Sequence, residues 1–483
     1  MSLSIALSSA LSGINLTARA TQLVSDNIAN AQTEGYGVRT LSQTAQVTGH
    51  HGSGVLSIGI HRDSDPALLA ELRHAKAQNT REEVASGFWT RLEAAFGMPD
   101  EPGGLTYLID ALEASLQNAA SQPESSARLR HVSQATSDIA RSFGSLHKTI
   151  LAQRDTADAA ISKDIASLNQ ALVGIAELNK KIQRQILQGL SPASLEDARQ
   201  QLVTDVSHII SVQEIARDDG RILLMGRDGS ILVDRTAAQF GFTRTQVTEA
   251  SDRVETGALS RITLNDRDLA QDTSLFVTGR LGAFVQIRDI DAPGLQEKLD
   301  NLAYDLVIRF SQPDLDPSLP PAGFGLFAID GKANLPTDKI GISGLLSLNP
   351  LADPDAGGAL WRLRSGMGLS TAPVGETADN ALLTRKLRVL GASRALPGGS
   401  VPKSAAAHAA DTLSSIASER LVLDQRRAAT TARVSALDEA FTARGVDTDA
   451  ELSKLLVLEH AYAANARVIA TIDSMWRSML EIV

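Results

Sequence analysis

The sequence predicts a mainly α protein with a β insertion: terminal helices plus a long coiled-coil helix bundle and an outer β-rich domain. Three observations lead there. Apolar residues recur every seven positions near both ends and in the middle of the chain, the repeat that a helical seam requires. After residue 216 the pattern switches to short β-favouring runs separated by Asp-Gly pairs, which is hairpin chemistry. Aromatics are only 4% of the 483 residues against 43% hydrophobic residues overall. The core therefore rests on Leu, Ile, Val and Ala, as packed helices do.

Taken in order, the chain opens with one amphipathic helix. Leu7, Leu11, Ile14, Ala18, Thr21 and Ile28 step by four, three, four, three and seven, setting an apolar stripe on one face. Residues 35–65 are rich in Gly, Ser, Thr and His and read as turn and extended structure. Helical patterns return over 66–96, 105–119 and 127–150. The most regular covers 161–186. Ile161, Leu168, Ile175 and Ile182 recur every seven residues, as do Ile165, Leu172, Asn179 and Ile186. These seams are expected to form a bundle core, with Asn179 facing water. Gly189 and Pro192 end the helix, and Ser194 with Asp197 are placed to cap the next one.

Beta-like runs are expected over 261–284, after which Leu295, Leu299, Leu302 and Leu306 restore a helix. The loop-rich stretch 312–404 is expected to complete an exposed β domain. A long helix follows over 405–444. Near the C-terminus Leu455, Tyr462, Ile469 and Trp476 lie seven apart, and Leu458, Ile472 and Met479 fill the companion seam, with Asn465 as its polar member. Neither terminal stripe has much neighbouring core to cover. They are expected to pair with each other and with other copies, and to be mobile in an isolated chain. The segments expected are 1–64, an N-terminal helix and turn; 65–215, helical and coiled-coil; 216–290, β-rich; 291–312, a helix; 313–404, an outer loop- and β-rich domain; 405–444, a helix returning to the helical domain; and 445–483, the C-terminal helix.

Composition removes several functions. Lys and Arg number 46 against 56 Asp and Glu, a net charge of −10, which disfavours binding by phosphate neutralisation. There is no Cys, hence no disulfide, thiolate nucleophile or thiolate-bound metal. No apolar run approaches the ~18 residues of a membrane span. No Lys or Arg precedes Arg19, so the basic region of a secretory signal is lacking. Catalytic motifs are poor. Ser400 and Lys403 match Ser-x-x-Lys only by spacing; His50, His51 and His61 lack a third-ligand pattern; and Asp353 with Asp355 would need an acid where Arg364 stands. No enzyme activity, cofactor or metal is expected.

The segment NIANAQTEGYGVRT resembles the N-terminal signature of the bacterial flagellar axial proteins through Asn27, Asn30, Thr33, Gly35 and Tyr36. Glu34 and Gly37 depart from the family's usual Pro and Ser. Physically, Asn30 ends the helix, Thr33 and Gly35 make the turn, and Tyr36 anchors it. The end of the chain is similar to the family's C-terminal signature through Gly445, Val446, Glu451, Leu452, Tyr462, Ala464, Asn465, Ala466, Val468, Ile469 and Asp473. Between them, IAELNKKI, the spacing Leu195-x-Asp197-x-Arg199-x-x-Leu202 and GRLGAFVQIRD resemble the hook-associated branch.

The resemblance implies a structural subunit of the hook–filament junction, exported through the flagellar type III apparatus and polymerising through its terminal helices. It implies assembly residues Leu7, Leu11, Ile14, Asn27, Ile28, Asn30, Thr33, Gly35 and Tyr36 in the first helix and turn. In the last helix it implies Leu455, Leu458, Tyr462, Asn465, Ile469, Ile472, Trp476 and Met479, which a cytoplasmic export chaperone would also bind. Other copies in a helical ring, the hook protein and the second junction protein are the implied partners, without nucleic acid or membrane insertion. The protein would be secreted into the flagellum after a cytoplasmic stage. A hook or distal rod subunit, or a cytoplasmic coiled-coil scaffold, are the alternatives.

Overall fold

The computed structural model describes residues 3–481 except Gln32, Glu34, Gly35, Gly49, His50, Ser64, Gly331, Ala333, Leu335, Glu376, Thr377, Gly398 and Ser400. Gly35, His50 and Ser400 of the sequence reading thus lie outside the described residues. The chain is mainly helical with a few small sheets, the class its periodicity predicts. Helix α1 (Leu3–Ala29) leads into an antiparallel hairpin, β1 (Val38–Thr48) with β2 (His51–Asp63). Then come α2 (Pro66–Phe96), α3 (Leu105–Ser121), α4 (Ser126–Leu187) and α5 (Ala193–Ile209). The two helical patterns at 127–150 and 161–186 belong to one helix of 62 residues.

A three-stranded antiparallel sheet follows, β3 (Val212–Ala216), β4 (Ile222–Gly226) and β5 (Ile231–Val233). Its two turns place Gly220 and Gly229 at φ of 80° and 86°, a conformation glycine adopts at no steric cost. Three two-residue strands, β6 (Phe240–Gly241), β7 (Thr263–Leu264) and β8 (Arg267–Asp268), form a second small sheet. The β-like reading of 261–284 then fails at its end, because α6 (Arg280–Gln286) already begins there. It continues through a π-wound turn, Ile287–Asp291, into α7 (Ala292–Phe310). That extra residue in the turn carries Arg288 into the interior, where it donates to Asp158 at 2.8 Å and to Asp289 at 2.7 Å. Burial opposes its charge, but the two carboxylates outweigh burial and raise its pKa.

Residues 313–404 do not form an exposed β domain. Their described residues hold the strand pair β9 (Phe327–Ile329) with β10 (Leu346–Leu348), the α-helices α8 (Arg362–Ser365) and α9 (Ala381–Gly391), and short 3-10 turns between them. Leu326, Phe327, Leu363, Met367 and Leu383 share one hydrophobic cluster with α3, the first half of α4, and α7. Long helices α10 (Ala405–Thr442) and α11 (Thr448–Glu481) complete the chain, α10 lying along α2 and α11 along α1. Side-chain caps fix the starts of four long helices: Asp65 for α2, Ser125 for α4, Ser404 for α10 and Asp447 for α11.

Six of the seven expected seam residues in α4 are buried: Ile161, Ile165, Leu168, Leu172, Ile175 and Ile182. They pack on α5 and the three-stranded sheet in a second cluster. Ile186 does not join them; it is 41% exposed, because α4 there runs past the end of α5. Asn179 does not face water. It is 1% exposed, donates to the carbonyl of Ile222 at 2.9 Å, and accepts from the Ile222 N–H at 3.1 Å and from Arg199 at 2.9 Å. The seam thus closes on a β-strand, whose free backbone an amide side chain can satisfy and a Leu cannot.

Candidate assembly interface

The terminal stripes find a partner within the chain: α1 and α11 lie antiparallel along each other. Asn27 meets Glu451, and Gly13 meets Asn465; a Cβ on Gly13 would lie 2.7 Å from the Asn465 amide. The contact stripe on α1 is consequently small and is phased differently from the sequence reading. Ala10, Thr17, Leu23, Val24 and Asn27 are buried, while Leu7, Ile14 and Ile28 are half-buried and Leu11 is exposed. Counting large apolar residues misplaced the stripe, since helices that approach closely select small ones.

On α11, Leu455, Leu458, Asn465 and Ile469 are half-buried and Ile472 is buried against this pairing. Tyr462, Trp476 and Met479 are exposed. In the antiparallel register set by Asn465 opposite Gly13, both Trp476 and Met479 fall past the described residues of α1. A second apolar row, Val457, Ala464, Val468 and Met475, is spaced seven, four and seven apart and stands open. This row was missed, although its spacing is itself a seam signal.

The signature residues converge where α1 ends. Asn27 donates to the Arg39 carbonyl at 2.9 Å and to Glu451 at 3.1 Å, and accepts from the Arg39 N–H at 3.1 Å and the Tyr36 hydroxyl at 2.8 Å. Asn30 donates to the Asp26 carbonyl, and Thr33 donates to the Asn30 side chain, which winds the turn. Burial raises the Tyr36 pKa, partly offset by the Arg39 guanidinium 4.8 Å from the ring centre. Lys454 pairs with the other Glu451 oxygen at 2.6 Å.

One step further, Asp197 on α5 does not cap its helix. The N-cap is Pro192, and the Asp197 carboxylate instead accepts from Arg39 at 2.6 Å and from Arg62 at 2.7 Å. Arg199 turns the other way, to Asn179 and the Gly220 carbonyl. Arg39 and Arg62 were missed because their partner is more than a hundred positions away. Among the described residues no group of three or more His, Cys, Asp or Glu is placed to hold a metal, and His61 is exposed. No helix among them is long and apolar enough to cross a membrane.

Two family models match this architecture. The flagellar hook-associated protein FlgK helical domain matches residues 89–313, and the flagellar basal body rod FlgEFG protein C-terminal domain matches 440–482. The middle of the chain is similar to a FlgK-type helical domain. The two matches bear different names, one hook-associated and one basal body rod, and the hook-associated one covers the longer part of the chain. Flagellar hook-associated protein 1 of Salmonella typhimurium is 27% identical over 314 residues, covering 62% of this chain and 55% of the relative. The Escherichia coli protein of that name is 24% identical over 317 residues, covering 63% and 56%, and the Bacillus subtilis one is 22% identical over 317 residues, covering 59% and 62%. The matches span little more than half the length of these curated relatives. Among solved structures, the flagellar hook junction protein FlgK from Burkholderia pseudomallei aligns at a TM-score of 0.45 and 20% identity, over 54% of this chain and 46% of that one. The family-model similarity to hook-associated flagellar proteins thus lies in residues 89–313, a little under half of the chain.

Proposed function

We propose that this FlgK-type chain is a structural subunit of the junction between hook and filament, polymerising through its terminal helices. The observation that supports this reading is the two-sided character of α11. One face is covered by α1, and the row Val457, Ala464, Val468 and Met475 is left open. An apolar row of that length is costly to leave in water and is the surface a second copy would cover. Neighbours in such a ring would be other copies, the hook protein and the second junction protein. An export chaperone would shield the same row, with Tyr462, Trp476 and Met479, before the chain leaves through the type III apparatus. The turn at Asn27, Asn30, Thr33 and Tyr36 would hold the helix pair in shape, and residues 65–444 would form the outer body.

Val468→Asp tests this reading in a strain that lacks its own copy. The variant should be exported, leave the body's thermal transition unchanged, and fail to support filaments on hooks. Normal filament growth with Val468→Asp would refute assembly through this face. Cells with shortened or absent hooks would favour a hook or distal rod subunit, and retention of the wild-type chain in the cytoplasm would favour a scaffold.

A further inference from the structure

We propose that Asp197 is a clasp that fixes the orientation of the terminal unit on the helical body, with Arg39 and Arg62 as its two arms and Gly37 as the residue that leaves room for the second. The terminal unit, α1 with α11 and the β1–β2 hairpin, joins the body covalently at two places, between Asp63 and Pro66 and between Thr442 and Thr448. Two covalent crossings alone define one line, about which a unit can turn. Asp197 adds a third point of attachment, on α5, where one carboxylate takes one guanidinium from each strand, at 2.6 and 2.7 Å.

Two arms resist rotation where a single pair would act as a swivel. Arg39 is further held by its own backbone, whose N–H and C=O are both bonded to Asn27. The position of the clasp is therefore passed through Asn27 and Glu451 to α11 without a mobile link. The three side chains are between 12% and 16% exposed. Removing the carboxylate would leave two guanidinium groups in a partly dry site without compensation, and they would leave it for water.

Gly37 completes the argument. Its φ is not in the left-handed region, so the backbone does not demand glycine there. A Cβ at this position would lie 2.5 Å from Arg62 Nε and 2.7 Å from its Cγ. Any side chain would push the middle of the Arg62 side chain, not merely its tip, out of reach of Asp197. A Ser at this position is incompatible with the clasp seen here, which ties Gly37, Arg62 and Asp197 into one feature. The inference concerns the single chain and stands whether or not the assembly reading holds.

The absence of Cys makes the test direct. Ala18→Cys on α1 and Ala166→Cys on α4, both exposed, give two spin-labelling sites in the full-length monomer. Double electron–electron resonance should read a single narrow distance in this parent. Asp197→Ala and, separately, Gly37→Ser should lose it to a broad distribution, while the body's thermal transition stays in place. The swap of Asp197→Arg with Arg39→Asp and Arg62→Asp should recover a narrow distance. If Asp197→Ala fails to fold, Gly37→Ser, which keeps every charge, carries the test. Distances in Asp197→Ala and Gly37→Ser as narrow as in the parent, at the same centre, would overturn the clasp.

Discussion

Asn27 and Glu451 stand 424 positions apart in the chain and meet through a 3.1 Å hydrogen bond between buried side chains. The bond joins the two signatures that mark the ends of the sequence, and it makes the turn after α1 dependent on the start of α11. Neither end can keep its local geometry when the other is displaced.

Asn27→Ala should therefore loosen both ends together. It strips partners from the Tyr36 hydroxyl, the Arg39 backbone and the Glu451 carboxylate, at roughly 1–3 kcal/mol for each group left buried and unsatisfied. Amide hydrogen exchange should accelerate in α1, the hairpin and the first turns of α11, with α4 unchanged. Protection equal to wild type across α11 would show that the bond is dispensable.

Asn179→Leu is expected to destabilise the body, although it perfects the seven-residue apolar repeat. The Ile222 backbone loses both its bonds and Arg199 loses an acceptor in a dry site, so the loss should reach several kcal/mol. Urea unfolding is the measurement. A midpoint at or above that of wild type would mean that the strand backbone finds other partners.

Lys386 gives a pH signature. It is fully buried and donates to the Leu363 carbonyl at 2.7 Å; desolvation lowers its pKa from 10.5 to about 8, against the pull of Asp316. Between those two values the unfolded chain binds more protons than the folded one, so this residue's penalty is full below pH 8 and fades as pH rises towards 10.5. Lys386→Met should be more stable than wild type at pH 7 by up to about 3 kcal/mol, less the lost hydrogen bond, and the gap should close by pH 10. A gap that stays constant from pH 7 to pH 10 would show that Lys386 titrates alike in the folded and unfolded protein, so that burial does not lower its pKa.

Trp476 should report closure of the open end of α11. It is 48% exposed, so with Trp89→Phe and Trp361→Phe in place its emission should be red-shifted in the monomer. Self-association or chaperone binding should move it to the blue. An emission already blue-shifted and shielded from quenchers in the free monomer would contradict the exposed position.

Periodicity made much of the body readable. Leu105 through Ala119, the seam from Ile161 to Ile182, and the turns at Gly220 and Gly229 depend on neighbours close in sequence, and those were visible. Asn179 was misjudged because what satisfies it is a strand edge 43 positions away. In 313–404, single apolar residues such as Phe327 and Leu363 anchor irregular chain to the common core, and an anchor without a period leaves no pattern to read. The α1 stripe was misphased for the opposite reason: a pattern was visible, but side-chain size hid which face approaches α11. At the interface, the signature turn was found from its residue types, whereas Arg39 and Arg62 are ordinary surface arginines until Asp197 is brought to them.

The antiparallel pairing of α1 with α11 has a topological result. Everything between the hairpin and Thr448 is a guest inserted into the connection between two halves of a single stalk. A guest of any size can be exchanged, enlarged or trimmed so long as its entry and exit stay close enough for the stalk to zip. Divergence in the outer body can thus proceed with the stalk unchanged, and a foreign domain grafted between the same two points should inherit the stalk's ability to pair.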